Sequence, residues 1–96
     1  MNRNEVIQRL ADHRSELDRF GVKSLALFGS VAREEETPES DIDILVDFSR
    51  SGGLFEFIQL KNYLEELLGH PVDLVTRDAL KPQLRQRIIR EAIHAA

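Results

Sequence analysis

The chain has 96 residues, of which 42% are apolar and 31% charged, with no cysteine. That is the make-up of one small globular domain, residues 1–96, able to bury roughly 60–65% of the surface its unfolded form exposes; it excludes disulfides and thiolate metal sites and suits a reducing cytoplasm. A formal net charge of −4 argues against a general nucleic-acid binder, whose affinity rests on clustered Lys and Arg.

No signal-like apolar run opens the sequence and no stretch reaches membrane-spanning length, so a cytoplasmic location without membrane attachment is expected. Val6, Leu10 and Leu17 recur at helical spacing, which predicts one amphipathic helix from Asn4 to Arg19, closed by Gly21. Val22 to Phe28 is short, apolar and bounded by glycines, and reads as a buried strand. Gly29-Ser30-Val31-Ala32-Arg33 turns sharply and begins a short helix, and Glu34 to Ser40, with Pro38 inside it, is a polar loop.

From Asp41 to Phe48 the pattern alternates. Ile42, Ile44, Val46 and Phe48 take one face of a strand, and Asp41, Asp43, Leu45 and Asp47 the other. Ser49 to Gly53 reads as a flexible connection. Leu54, Phe57, Ile58, Lys61, Leu64, Leu67 and Leu68 mark a second amphipathic helix, with Gly69 placed for a left-handed C-terminal cap and Pro71 stopping continuation. Pro71 to Val75 is a third strand carrying Asp73. From Pro82 onward a closing helix puts Leu84, Ile88 and Ala92 on one stripe. The order implies an α/β fold (α+β in some schemes): a small sheet of three to four strands with helices packed on it. With so little between the first two strands, a mixed sheet is favoured over an all-parallel one.

Charge is unevenly distributed. Glu34, Glu35, Glu36 and Glu39 crowd the loop before Asp41, Asp43 and Asp47, while Arg77, Lys81, Arg85, Arg87 and Arg90 gather near the C-terminus. Asp41 and Asp43 lie two residues apart on one strand, so their carboxylates project from the same face, roughly 6–7 Å apart along the backbone. Asp73 can join them from the next strand. Crowded carboxylates repel and are costly if buried dry, a cost that a divalent cation removes; oxygen-only ligands select Mg²⁺ or Mn²⁺ over zinc. Any one of these aspartates is also compatible with an ordinary outward polar residue or an ion-pair partner. The upstream Gly29-Ser30 shifts the balance, because glycine after a strand lets the backbone approach a phosphate closely and Ser30 adds a hydroxyl donor. Arg33 lies one turn further on the same side. His13, His70 and His94 are scattered, and each reads as a surface or helix-end residue.

Leu27-Phe28-Gly29-Ser30, a gap of ten residues, Asp41-Ile42-Asp43-Ile44-Leu45-Val46 and the later Val72-Asp73-Leu74-Val75 resemble the signature of the DNA polymerase β-type nucleotidyltransferase superfamily. The likeness is closest to its minimal nucleotidyltransferases (MNT), often paired with small helical HEPN proteins, and spans about residues 5 to 94. It implies a polymerase β-like fold in which Gly29 and Ser30 bind an NTP triphosphate; Arg33, by its position one turn on, is a nucleotide-binding candidate as well as a candidate for a plain helix-surface role. It further implies that Asp41, Asp43 and Asp73 are catalytic and hold two metal ions, Mg²⁺ or Mn²⁺ in its place, with Asp73 nearest the attacking hydroxyl.

Larger members of the superfamily use further domains for the acceptor. Members of the minimal subgroup act on a separate partner, and the resemblance implies a Mg²⁺-dependent protein adenylyltransferase that moves AMP from ATP to a tyrosine hydroxyl of a HEPN-type toxin and so acts as its antitoxin. Two alternatives stay open. One is a non-catalytic antitoxin or nucleotide-binding module that acts by contact alone. The other is transfer to RNA or a small molecule, for which the acidic balance and the lack of a second lobe are unfavourable.

Overall fold

The computed structural model describes residues 1–49 and 53–96, so most of the connection expected over Ser49 to Gly53 lies outside the described residues. The α1 helix, Arg3–Asp12, opens on a capping box: the Asn2 side chain accepts from the Glu5 amide at 2.9 Å, and Glu5 reaches back to the Asn2 amide at 3.4 Å. It buries Val6 and Leu10 completely. The single helix expected from Asn4 to Arg19 is in fact two, because α2 restarts at Arg14 and runs to Arg19. His13 is the reason. Its Nδ1 lies 2.9 Å from the Arg9 carbonyl, the acceptor its own amide would use in an unbroken helix, and that amide turns to Leu10 instead.

Strands β1 (Val22–Phe28) and β2 (Ile42–Phe48) pair antiparallel, and β3 (Val72–Thr76) adds parallel to β2. A fourth strand, β4 (Ile93–His94), pairs antiparallel with β1, giving the order β3-β2-β1-β4. The sheet is thus mixed, as the short β1–β2 connection requires. That connection carries α3, Gly29–Ala32, in place of a crossover helix. Alternation along β2 holds for the apolar face, but Leu45 on the other face is also buried, so that face is covered near its centre.

Helix α4, Leu54–Leu68, buries Leu60, Leu64 and Leu68 against the sheet and α1, and ends at Gly69 in the left-handed conformation expected of it (φ 67°). Glu65 ties it to the sheet by accepting from the Val72 amide at 2.9 Å. After a 3-10 turn at Arg77–Ala79, α5 spans Pro82–Glu91. Its expected core stripe is not one: Leu84 is 45% exposed, and Ala92 lies past the helix in extended backbone leading into β4. Helix α5 therefore leans on the body of the domain through its last turn. Among the described residues no helix is long and apolar enough to cross a membrane.

Candidate active site

Strand β1 delivers the chain to Gly29, whose neighbour Phe28 is paired with Asp43 across the β1–β2 ladder. Gly29 has φ +68°, and a Cβ built on it would run into the Asp43 carboxylate, with Cγ only 2.9 Å away. Both the left-handed backbone and the missing side chain are needed for the bend to lie against that carboxylate. The strand-to-helix turn and the first acidic strand, separated by ten residues in the sequence, are therefore in direct contact.

The parallel register sets Asp73 beside Asp43 on the neighbouring strand, and their carboxyl groups are close enough to share a proton. The Asp43 carboxyl is pushed up to about 6, chiefly by burial, then by the charge and hydrogen bond of Asp73 and the charge of Asp41, while Arg33 pulls the other way. Asp41 and Asp73 are exposed and Asp43 is half-buried between them and the bend. The structure thus brings Asp43 and Asp73 together and leaves Asp41 at the open mouth of β2, its charge still felt by Asp43. Among the described residues no three carboxylate or imidazole groups are gathered tightly enough to hold a metal ion as they stand. The donor chemistry nonetheless fits a hard divalent cation: all-oxygen, like-charged, half-desolvated, and relieved by positive charge.

Ser30 and Arg33 lie on and just after α3, on the far side of the bend from β1. Arg33 donates from Nε to Glu35 at 3.2 Å and from Nη1 to Glu91 at 2.9 Å. The Glu35 hydrogen bond raises the guanidinium above its usual range; burial opposes it, and the charges of Glu91 and Glu35 with the Glu91 hydrogen bond add to the rise. The same Glu91 oxygen accepts from the Gly29 amide at 3.0 Å. Arg3 holds the other end of α3, donating to the Ala32 carbonyl at 3.0 Å and pairing with Glu34 at 3.2 Å. The acidic run of the loop is thus partly neutralised by Arg3 and Arg33. Glu91 and Arg3 were not among the residues singled out in the sequence. The three histidines occupy separate places, at the break after α1, the turn beyond α4, and β4.

The nucleotidyltransferase domain family matches residues 7–95. The chain belongs to the nucleotidyltransferase domain family. This nucleotidyltransferase is 44% identical over 91 residues to the protein adenylyltransferase MntA of Thermococcus cleftensis, covering 94% of this chain and 92% of that one. It is also similar to a solved structure described as a minimal nucleotidyltransferase, at TM-score 0.84 and 40% identity over 97% of this chain and 95% of that one. A crystallised toxin–antitoxin with AMP-PNP aligns at TM-score 0.71 and 25% identity, over 100% of this chain and 73% of that one. The minimal nucleotidyltransferase fold that the resemblance implies is the fold observed. Enzymes of this family generally work with divalent metal ions.

Proposed function

We propose that this nucleotidyltransferase moves AMP from ATP to a tyrosine hydroxyl of a HEPN-type partner protein and thereby acts as an antitoxin, with residues 1–96 working as one domain in the cytoplasm. In this reading Gly29, Ser30 and Arg33 receive the triphosphate, and Asp41, Asp43 and Asp73 hold two magnesium ions. The observation that carries it is the contact of the Gly29 bend with the Asp43 carboxylate, beside Asp73 on the adjoining strand. Backbone and side-chain donors beside carboxylates suit a metal–triphosphate complex, in which the cation offsets both sets of negative charge. The adenylyltransferase relative and the AMP-PNP-bound structural neighbour support the choice of nucleotide and of a protein acceptor.

The acceptor oxygen forms a bond to the α-phosphorus as the bond from that phosphorus to the bridging oxygen breaks, and pyrophosphate leaves. Bound divalent ions supply positive charge to both the entering and the leaving oxygen. The chain's own tasks are positional. The Gly29 amide, the Ser30 hydroxyl and Arg33 orient the β- and γ-phosphates. Asp73, exposed at the edge of the sheet, faces an approaching hydroxyl and takes its proton.

Incubating the protein with its HEPN-type partner, labelled ATP and Mg²⁺ tests this reading. Label should appear on the partner with the wild type and not with Asp41→Ala/Asp43→Ala. Equal labelling by both would sink the catalytic assignment. Growth rescue by that double variant would instead favour neutralisation by contact.

A further inference from the structure

The one acidic side chain in the basic stretch Lys81–Glu91 reaches across to the triphosphate turn, and nothing in the reading above uses it. Glu91 ends α5 and is three-quarters buried, with a side-chain exposure of 25%. A single oxygen, Oε1, takes both the Gly29 amide at 3.0 Å and Arg33 Nη1 at 2.9 Å. Those are an amide and a guanidinium of the group assigned above to the β- and γ-phosphates. An amide has one hydrogen to give, and here Glu91 has it. Arg33 is shared further with Glu35.

We infer that the Glu91 carboxylate is an internal stand-in for phosphate: it occupies the triphosphate donors of the empty enzyme, and the incoming nucleotide must displace it. The inference rests on the triphosphate assignment and adds to it a residue that sets nucleotide affinity from the opposite end of the chain. Two features argue for displacement over scaffolding. A carboxylate left in place would stand against a polyphosphate of the same sign, in a site where Asp43 already repels it. The displaced side chain also has somewhere to go. Arg87 lies one turn back on the same helix, at the spacing that lets side chains pair, and Arg87, Arg90 and Glu91 together line an open surface pocket of about 260 Å³. Release from the Gly29 amide and Arg33 thus needs only that one side chain turn toward a second pair of guanidinium groups.

Competition by a carboxylate for anion donors has a signature that loss of a structural contact lacks: it scales with the charge of the ligand. Glu91→Gln keeps the shape and an acceptor oxygen for the Gly29 amide but removes the charge. By calorimetry in Mg²⁺, ATP should bind E91Q roughly tenfold more tightly than wild type, AMP less so, and adenosine equally in both. Glu91→Asp, too short to span the gap, should tighten ATP in the same order and covers the case in which the amide variant loses its fold. ATP binding to both variants no tighter than to wild type would overturn the inference while leaving the triphosphate assignment standing. So would an equal gain for adenosine. If ATP bound neither wild type nor E91Q, the triphosphate assignment itself would fall, and the inference with it.

Discussion

Asp43 carries the largest electrostatic cost in the site. Its carboxyl titrates near 6 in the fold against 3.8 for an exposed aspartate, so between about pH 4 and pH 6 the folded chain binds more protons than the unfolded one. Stability from this group is therefore full at low pH and is lost as pH rises through about 6. Removing the charge should help the metal-free protein above that range. Screening by water at a half-buried site leaves about 1 kcal/mol, or roughly 4–8 °C in a domain of this size. In chelator at pH 7.5, Asp43→Asn should melt above wild type by that margin, and at pH 4 the two should coincide. A gap of equal size at both pH values would show that burial and like charge are not what perturb Asp43. Gly29 makes a companion case. Alanine there must adopt a left-handed backbone, costing about 1–2 kcal/mol, and must also displace the Asp43 carboxylate. At Gly21 the backbone is equally left-handed (φ +79°) but the space is open. Denaturant melts should accordingly show Gly29→Ala losing more stability than Gly21→Ala, and only the former should lose nucleotide transfer. Gly29, Asp41 and Asp43 were legible in the sequence because short spacings and strand alternation fix their relation, and Asp73 because it interrupts an apolar strand. Glu91 was not, since its partners lie 58 and 62 residues away, and neither end of the contact has a local pattern that announces it. Arg3, which reaches over 29 residues to Ala32, was hidden for the same reason.

At the scale of elements, legibility followed burial. Strand β2 and helix α4 are amphipathic enough for period alone to place them, and Gly69 marks where α4 stops. Where a side chain's hydrogen bond overrode periodicity, as His13 does at the end of α1, no pattern foretells it: Leu17 falls on the same stripe as Val6 and Leu10 whether or not the helix breaks. Strand β4 is two residues long and exists because β1 offers it an unpaired edge, a tertiary cause. The stripe of α5 was misleading because apolar spacing does not say whether a surface is opposite to receive it. The contrast between α4 and α5 is measurable. Leu64 is fully buried and Leu84 is 45% exposed; Leu64→Ala should cost about 2–5 kcal/mol, and Leu84→Ala should stay within about 0.5 kcal/mol. Chemical denaturation of both variants tests the pair. A comparable loss for Leu84→Ala would mean that α5 packs on something the fold of this chain does not reveal.

The whole molecule is a slab of 32 × 31 × 19 Å with a radius of gyration of 12.4 Å, close to the roughly 12–13 Å of any compact chain this long. Strands and helices fill that volume, and the aspartate edge faces outward, with Asp41 and Asp73 in solvent. Ligand binding and folding should therefore be tightly linked. Asp43 and Asp73 lie thirty residues apart in the chain and meet only through the β2–β3 register, so an unfolded chain cannot offer them together to an ion. A cation that binds the native state alone stabilises it by an amount set by occupancy, about 2.7 kcal/mol at a hundred times its dissociation constant. It also removes the repulsion that raises Asp43, so the gain should be larger at pH 7.5 than at pH 5, where protons compete for the same oxygens. Thermal melts across a magnesium titration should show the midpoint rising with concentration in wild type. The rise should shrink at pH 5 and vanish in Asp41→Ala/Asp43→Ala. Glu35→Gln supplies the control, because the acidic loop is the other place where a divalent ion could gather charge; it should respond to magnesium as wild type does. If the double aspartate variant kept the full magnesium response while Glu35→Gln lost it, the ions would be sitting on the loop, and the sheet-edge carboxylates would have no claim to them.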